Sequence, residues 1–417
     1  MSISSYRSYK NSGVEWLGEI PVDWSLGKFR HLFTESTEKI ESEVHGEMLS
    51  VSGYRGIEVK EYSDENQKRT DENLIGYRIV HVGQLVVNTM WLNYAGLGIS
   101  QLEGHVSPAY RGYWVDSNLH KPFVHHLMRS SLYVLGYTKY LTGVRPNSLQ
   151  MSREDLMNFP ILMPTLTEQI AIANFLDHET AKIDTLIAEQ EKLIQLLKEK
   201  RQAVISQAVT NGLDSKVKMK DSGVEWLGRV PDHWDVVPLK YFVHMKSGEQ
   251  ITSEQIRDEG DFPVYGGNGL RGYFEKYTHD GEYPLIGRQG ALCGNINYAS
   301  GKFWASEHAV VVTPKKMANI FYLGELLRSM NLGQYSTSAA QPGLSVEAIG
   351  NLRIPAPIIE EQNKIANYLL TESGKWESLI EAATLSISLF QERRSALISA
   401  AVTGQIDVRN YQRKEAE

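Results

Sequence analysis

The sequence predicts an α+β protein in which two globular mixed α/β domains are joined to two long helices that pair as an antiparallel coiled coil. Three observations carry this. The chain repeats its own frame, each repeat ends in a long heptad-patterned segment, and the stretches between read as short strands and turns.

The repeat is direct. Lys10-Asn-Ser-Gly-Val-Glu-Trp-Leu-Gly-Glu-Ile-Pro-Val-Asp-Trp24 returns as Lys220-Asp-Ser-Gly-Val-Glu-Trp-Leu-Gly-Arg-Val-Pro-Asp-His-Trp234. Glu168-Gln169-x-x-Ile172-Ala173-Asn174-Phe175-Leu176 returns as Glu361-Gln362-x-x-Ile365-Ala366-Asn367-Tyr368-Leu369, and Ala208-Val209-Thr210 as Ala401-Val402-Thr403. Seven segments follow: a motif at 1–24 that docks near the end of the second long helix, a domain at 25–160, a helix at 165–213, and a linker with the second motif at 214–234. A second domain at 235–355, a helix at 358–405 and a tail at 406–417 complete the chain.

In the first helix Ile172, Leu176, Ile183, Leu186, Leu193, Leu197 and Val204 mark an apolar seam, with Thr167 as its N-terminal cap and Asn211-Gly212 as its stop. In the second, Ile365, Leu369, Trp376, Leu379, Ala383, Phe390 and Leu397 keep the spacing. Each rod of roughly 40 residues is about 60 Å long and needs a partner on its seam. The first rod delivers the chain to the second domain, so the return rod runs antiparallel. The halves are then related by an approximate two-fold axis, and the arrangement is circular.

Between the motifs, Tyr77–Asn88 and Ala309–Thr313 are strand-like, with turns at Ser52-Gly53, Gly266-Gly267-Asn268-Gly269, Asp280-Gly281 and Ser300-Gly301. Short helices are expected over 121–135, near 152–157 and over 320–330. Pro160 and Pro164, and Pro355 and Pro357, read as stiff hinges between domain and rod. Trp16, Trp24, Trp226 and Trp234 read as core anchors docking each motif, with partner contact as the other reading.

Composition sets limits. The 417 residues are 42% hydrophobic and 22% charged, ordinary for globular domains, with a single cysteine, Cys293, which excludes an intrachain disulfide and reads as a small buried hydrophobe. No apolar run approaches the ~18 residues of a membrane span, and residues 1–10 lack the apolar stretch of a signal peptide, so a cytoplasmic protein is expected. The net charge of −7 requires any nucleic-acid contact to rest on local sorting of charge, with much of the grip supplied by a partner.

The duplicated motif, the Glu-Gln helix openings and the paired rods resemble the specificity subunit of type I restriction-modification systems, across essentially the whole chain. The resemblance implies two target recognition domains, each reading one half of a split double-stranded DNA site, with spacing set by the rods. It also implies two methyltransferase subunits docked on the repeated frame and restriction/translocase subunits beside them. S-adenosylmethionine, ATP and Mg would then belong to those partners, and this chain would hold no cofactor or metal and carry no catalysis. Tyr265–Tyr273 and Gly281–Ala291 resemble known recognition-domain sequence; the first domain departs from it. Two further readings stay open: a silent or antirestriction copy, and a catalytic methyltransferase or nuclease with a duplicated DNA-binding module.

Catalytic signatures are weak or missing. Gly267-x-Gly269-x-x-Gly272 lacks the strand and helix of a dinucleotide site and reads as a glycine-rich turn. No Asn-Pro-Pro-Tyr or Asp-Pro-Pro-Tyr tetrad and no Gly-Lys-Ser/Thr phosphate loop occurs. Glu58-Val59-Lys60 reads as a strand edge, and His120, His125 and His126 as structural or surface residues. Base reading needs Arg, Asn and Gln on rigid loops, with Lys and Tyr for phosphates. The candidates are Tyr54, Arg55, Lys68, Arg69, Asn93, Tyr94, Arg111, Arg145 and Asn147 in the first domain. In the second they are Lys246, Asn268, Arg271, Arg288, Gln289, Asn295, Asn297, Lys315 and Lys316.

Overall fold

The computed structural model describes residues 4–53, 56–62, 70–143, 149–290, 292–336 and 343–411. The chain forms two compact units, residues 1–190 with 385–417, and residues 191–384, whose boundary falls inside both long helices, Leu166–Asn211 and Ile359–Val402. Among the described residues no helix is long and apolar enough to cross a membrane.

Both units build the same sheets from different sequences. In the first, one sheet has the order 56–59, 47–52, 104–106, 78–80, with 47–52 and 104–106 parallel. A second, fully antiparallel sheet has the order 33–35, 111–115, 85–87, 97–99. The other unit repeats this as 269–274, 262–266, 302–305, 279–280 and as 243–247, 309–314, 283–287, 296–299. A small apolar cluster accompanies each pair of sheets, Leu49, Val80, Val86 and Val106 in one and Leu285, Ala299, Phe303, Ala305 and Val311 in the other. The first domain's departure in sequence is therefore not a departure in topology.

The repeated motif is a hairpin, Tyr9–Asn11 with Glu19–Pro21 and Met219–Asp221 with Arg229–Pro231. Its glycines are demanded by backbone shape: Gly13, Gly18, Gly223 and Gly228 have φ of 75°, 64°, 68° and 60°. Trp24 and Trp234 are fully buried. Trp24 Nε1 donates to Glu168 at 3.2 Å, and Trp234 Nε1 to Glu361 at 3.0 Å. The neighbouring Gln169 and Gln362 are buried too, donating to Pro164 O (3.0 Å) and Pro357 O (2.9 Å) while accepting from His120 N (2.8 Å) and Asn319 N (3.0 Å). The Glu-Gln pair thus joins motif, domain and helix opening by satisfying buried polar groups. Trp16 stacks on Phe159 at 5.4 Å, and Trp226 Nε1 donates to Arg353 O at 3.2 Å.

In the first unit the hairpin meets the end of the second helix: Tyr9 donates to Gly404 O at 3.0 Å, Ser4 bridges Asp407, and Ala401 and Val402 share a core with Trp24, Ile172 and Leu176. In the second unit the end of the first helix plays that part, with Ile205, Ala208 and Val209 sharing a core with Trp234, Ile365 and Leu369. The helices run antiparallel within each unit, tied by a two-pronged Arg394–Asp184 pair (2.8 and 3.3 Å) in one and Arg201–Glu377 (3.6 Å) in the other.

Several expectations need correcting. Leu186, Leu193 and Leu379 are 40%, 42% and 53% exposed and lie off the seam. Ile187 is buried, and Ile194 and Ile380 are half-buried. Each misplacement falls on an adjacent Leu-Ile pair, where apolar spacing alone does not fix the phase. The helix cap is Thr165, whose Oγ1 accepts from Glu168 N at 3.3 Å, because the helix starts at Leu166 and leaves Thr167 inside it. Pro160 and Pro355 are not hinges: each lies in a strand, 160–163 paired with 25–28 and 353–356 paired with 235–238. The short helices form at Lys121–Arg129, Ser131–Thr138, Arg153–Asn158 and Ile320–Ser329.

Candidate nucleic-acid interface

In the second domain three loops meet at one end of the sheets. Gly267-Asn268 turns the hairpin between 262–266 and 269–274, residues 288–295 follow strand 283–287, and 306–308 precede strand 309–314. Glycine makes the convergence possible. A Cβ on Gly267 would sit 3.1 Å from His308 O and 3.4 Å from Gln289 O, and one on Gly287 would strike Gly267 O. The Gly267-x-Gly269-x-x-Gly272 run is therefore a β-hairpin, followed by strand rather than helix.

Backbone and side chains pin these loops together. Arg288 N donates to His308 O at 2.9 Å, and Leu344 N to Arg288 O at 3.0 Å. The Gln289 amide oxygen lies 3.1 Å from His308 Nδ1, and Gln289 bridges Gly343. Asn268, Arg271, Gln289 and Asn295 are exposed at this end. Arg288 is half-buried and donates to Ser247 Oγ at 3.1 Å, so it also braces strand 243–247. Asn297 holds Nδ2 buried without a protein partner, an unmet donor that costs about 1–3 kcal/mol. Lys246 is exposed on strand 243–247, one residue before the Ser247 that Arg288 holds.

Lys315 and Lys316 stand apart. They follow the far end of strand 309–314, roughly 17 Å from the loop cluster by strand rise, and the Lys315 ammonium already donates to Lys240 O at 2.6 Å. Cys293 is half-buried in the 288–295 loop rather than in the core, and its thiol donates to Arg288 O at 3.2 Å.

The first domain converges at the corresponding end. The turn after strand 47–52 abuts the 88–96 loop, where a Cβ on Gly53 would strike Tyr94 O. Arg129 fastens the two, donating to Ser52 O (3.2 Å), Gly53 O (2.9 Å), Ala95 O (3.0 Å) and Leu97 O (2.5 Å). Burial lowers its guanidinium pKa to about 10, so it stays charged while serving as a clamp. Trp91 and Tyr94 project beside the turn, 54% and 56% exposed, with ring centroids 5.7 Å apart. Neither Arg129 nor Trp91 was among the sequence candidates; an aromatic in the same loop as Asn93 and Tyr94 was the available signal. Asn93 is half-buried with Oδ1 unpartnered.

Arg111 is turned inward. Its guanidinium donates to Pro108 O at 2.7 Å and pairs with Glu35 at 3.4 Å, where Arg153 and Arg78 also converge. Tyr54, Arg55, Lys68, Arg69, Arg145 and Asn147 lie outside the described residues. The histidines at 120–126 do not converge on one point: His120 N meets Gln169, His125 Nδ1 accepts from Ile99 N at 3.2 Å, and His126 pairs with Asp177 at 2.8 Å.

Residues 231–373 match the family described as the type I restriction modification DNA specificity domain. The chain is 42% identical over 150 residues to the type I restriction enzyme EcoprrI specificity subunit of Escherichia coli, spanning 35% of this chain and only 36% of that relative. Over 94% of its length it aligns, at 21% identity, with 96% of a putative type I restriction enzyme MjaX specificity subunit of Methanocaldococcus jannaschii. A solved chain from work on complex assembly and conformational transition of the type I R-M system shares the fold, with a TM-score of 0.65 at 16% identity over 92% of this chain and 98% of that one. Residues 231–373 thus match a type I restriction modification DNA specificity domain, and across most of its length the chain is similar to type I restriction enzyme specificity subunits.

Proposed function

We propose that this chain is a DNA-reading subunit without chemistry of its own, in which each domain recognises one half of a bipartite site through the loops gathered at one sheet end. The supporting observation is that two domains of identical strand order carry different side chains at corresponding ends: Asn268, Arg271, Gln289 and Asn295 in one, Trp91, Asn93 and Tyr94 in the other. A constant frame with variable loops suits two addresses read by one mechanism. Asn and Gln reach adenine, and Arg reaches guanine, with two hydrogen bonds each, about 1–3 kcal/mol of discrimination per contact.

In this reading the antiparallel helices set the spacing between half-sites, and the repeated frame receives two methyltransferase subunits. S-adenosylmethionine is held by those subunits, and ATP and Mg by restriction/translocase subunits that join them. The acidic balance of the chain fits this division, since phosphate neutralisation is local and is shared with the partners.

The test exchanges residues 235–345 for the equivalent domain of another specificity subunit, co-expressed with the methyltransferase, and maps methylated adenines genome-wide. One half-site changes and the other persists. A change in both half-sites, or in neither, overturns the modular reading.

A further inference from the structure

We propose that His45, His81 and Glu103 of the first domain form a binding site for one zinc ion. The three residues come from separate segments that the sheet brings to one end. His45 precedes strand 47–52, His81 follows strand 78–80, and Glu103 precedes strand 104–106, which lies between the other two. Glu103 Oε2 is 3.0 Å from His81 Nδ1 and 3.4 Å from His45 Nε2. All three ligand atoms lie within 4.8 Å of one another. A tetrahedral zinc with bonds of about 2.1 Å holds its ligand atoms roughly 3.4 Å apart, so the donors are spaced to receive the ion with small movement.

Surrounding groups orient the donors as metal sites require. Glu38 Oε2 lies 2.9 Å from His81 Nε2, leaving Nδ1 as the ligating atom in a carboxylate–histidine–metal arrangement. Val82 N donates to the second oxygen of Glu103 at 3.0 Å. The Trp114 ring stacks on His81 at 5.5 Å with planes 16° apart. His105 Nδ1 lies 2.9 Å from His45 O and holds the segment bearing the first ligand. His45, His81 and Glu103 keep 41%, 28% and 50% of their side-chain surface open, so an ion can enter and a water can complete its shell.

The second domain supplies an internal control. Just outside its corresponding strands stand Gly260, Gly281 and Gly301, which offer no ligand. The site lies at the sheet end away from Gly53, so zinc would clip the 36–46 connection to the sheet without touching the reading loops. Its role is to stiffen one domain.

The experiment uses the full chain purified without a polyhistidine tag, stripped with chelator and titrated with zinc chloride. Calorimetry and elemental analysis read the stoichiometry, and thermal melts read stability. About one zinc per chain and a zinc-dependent rise in melting temperature are expected. His81→Ala and Glu103→Gln should abolish binding, with circular dichroism checking that each still folds. Glu38→Gln should weaken affinity about 10- to 100-fold while keeping the stoichiometry. No zinc uptake by the wild type, or equal uptake by folded His81→Ala or Glu103→Gln, overturns the site and leaves an ion-pair cluster of His81 with its two carboxylates.

Discussion

His125 shows how a single buried side chain ties the first domain to pH. Burial, aided by the positive charge of Arg129, depresses its pKa to about 3, and its Nδ1 accepts from Ile99 N, a bond only the neutral ring can accept. Because the folded value lies below the ordinary value near 6.5, the unfolded chain binds the proton first. Stability is therefore unaffected above about pH 6.5 and falls below it, by up to about 1.4 kcal/mol per pH unit. Thermal melts of His125→Gln between pH 5 and 6.5 should show a shallower slope than wild type. At the same scale, Trp24→Ala should cost the first unit about 3–5 kcal/mol. Trp24→Phe, which removes the indole donor to Glu168 and part of the buried ring volume, should cost about 1.5–3 kcal/mol. Trp234→Ala should do to the second unit what Trp24→Ala does to the first, and domain-resolved proteolysis separates the two effects.

At the scale of elements, the seam offers a sharper test than the rods as a whole. Ile187→Ala should destabilise the first unit by about 2–4 kcal/mol, whereas Leu186→Gln, one residue away, should stay within about 0.5 kcal/mol in denaturant titrations of the isolated chain. The rods, their direction and the duplicated frame were legible because heptads and repeats are written in linear order. Phase was not, where Leu186-Ile187, Leu193-Ile194 and Leu379-Ile380 offer two apolar residues side by side. The loop cluster of the second domain was legible through its glycines and amides. Arg288 and Arg111 were readable as types but not as roles, since nothing local in sequence says that one braces Ser247 and the other is neutralised by Glu35. The approach of His45, His81 and Glu103 was invisible for the same reason: sheet order, not spacing, brings them together.

At the scale of the whole molecule, the first unit is discontinuous in sequence and the second is not. The segment beyond Gly404 belongs to the first: Val408 is buried there, Arg409 lies 4.8 Å over the Tyr6 ring, and Tyr411 packs on Phe175 and donates to Glu179 at 2.7 Å. Truncation after Gly404 should lower the first unit's unfolding transition by about 2–4 kcal/mol and leave the second unchanged in scanning calorimetry. An equal loss in both would contradict the division of the chain.

The closure of the opening hairpin on residues 397–411 also has a temporal meaning. A ribosome releases the first domain early, yet the helix end that covers Trp24, Ile172 and Leu176 is made only after the whole of the second unit. The second unit, contiguous in sequence, has all its parts while the first still waits with an open apolar face. Maturation therefore runs against the direction of synthesis: the domain made first is the one finished last.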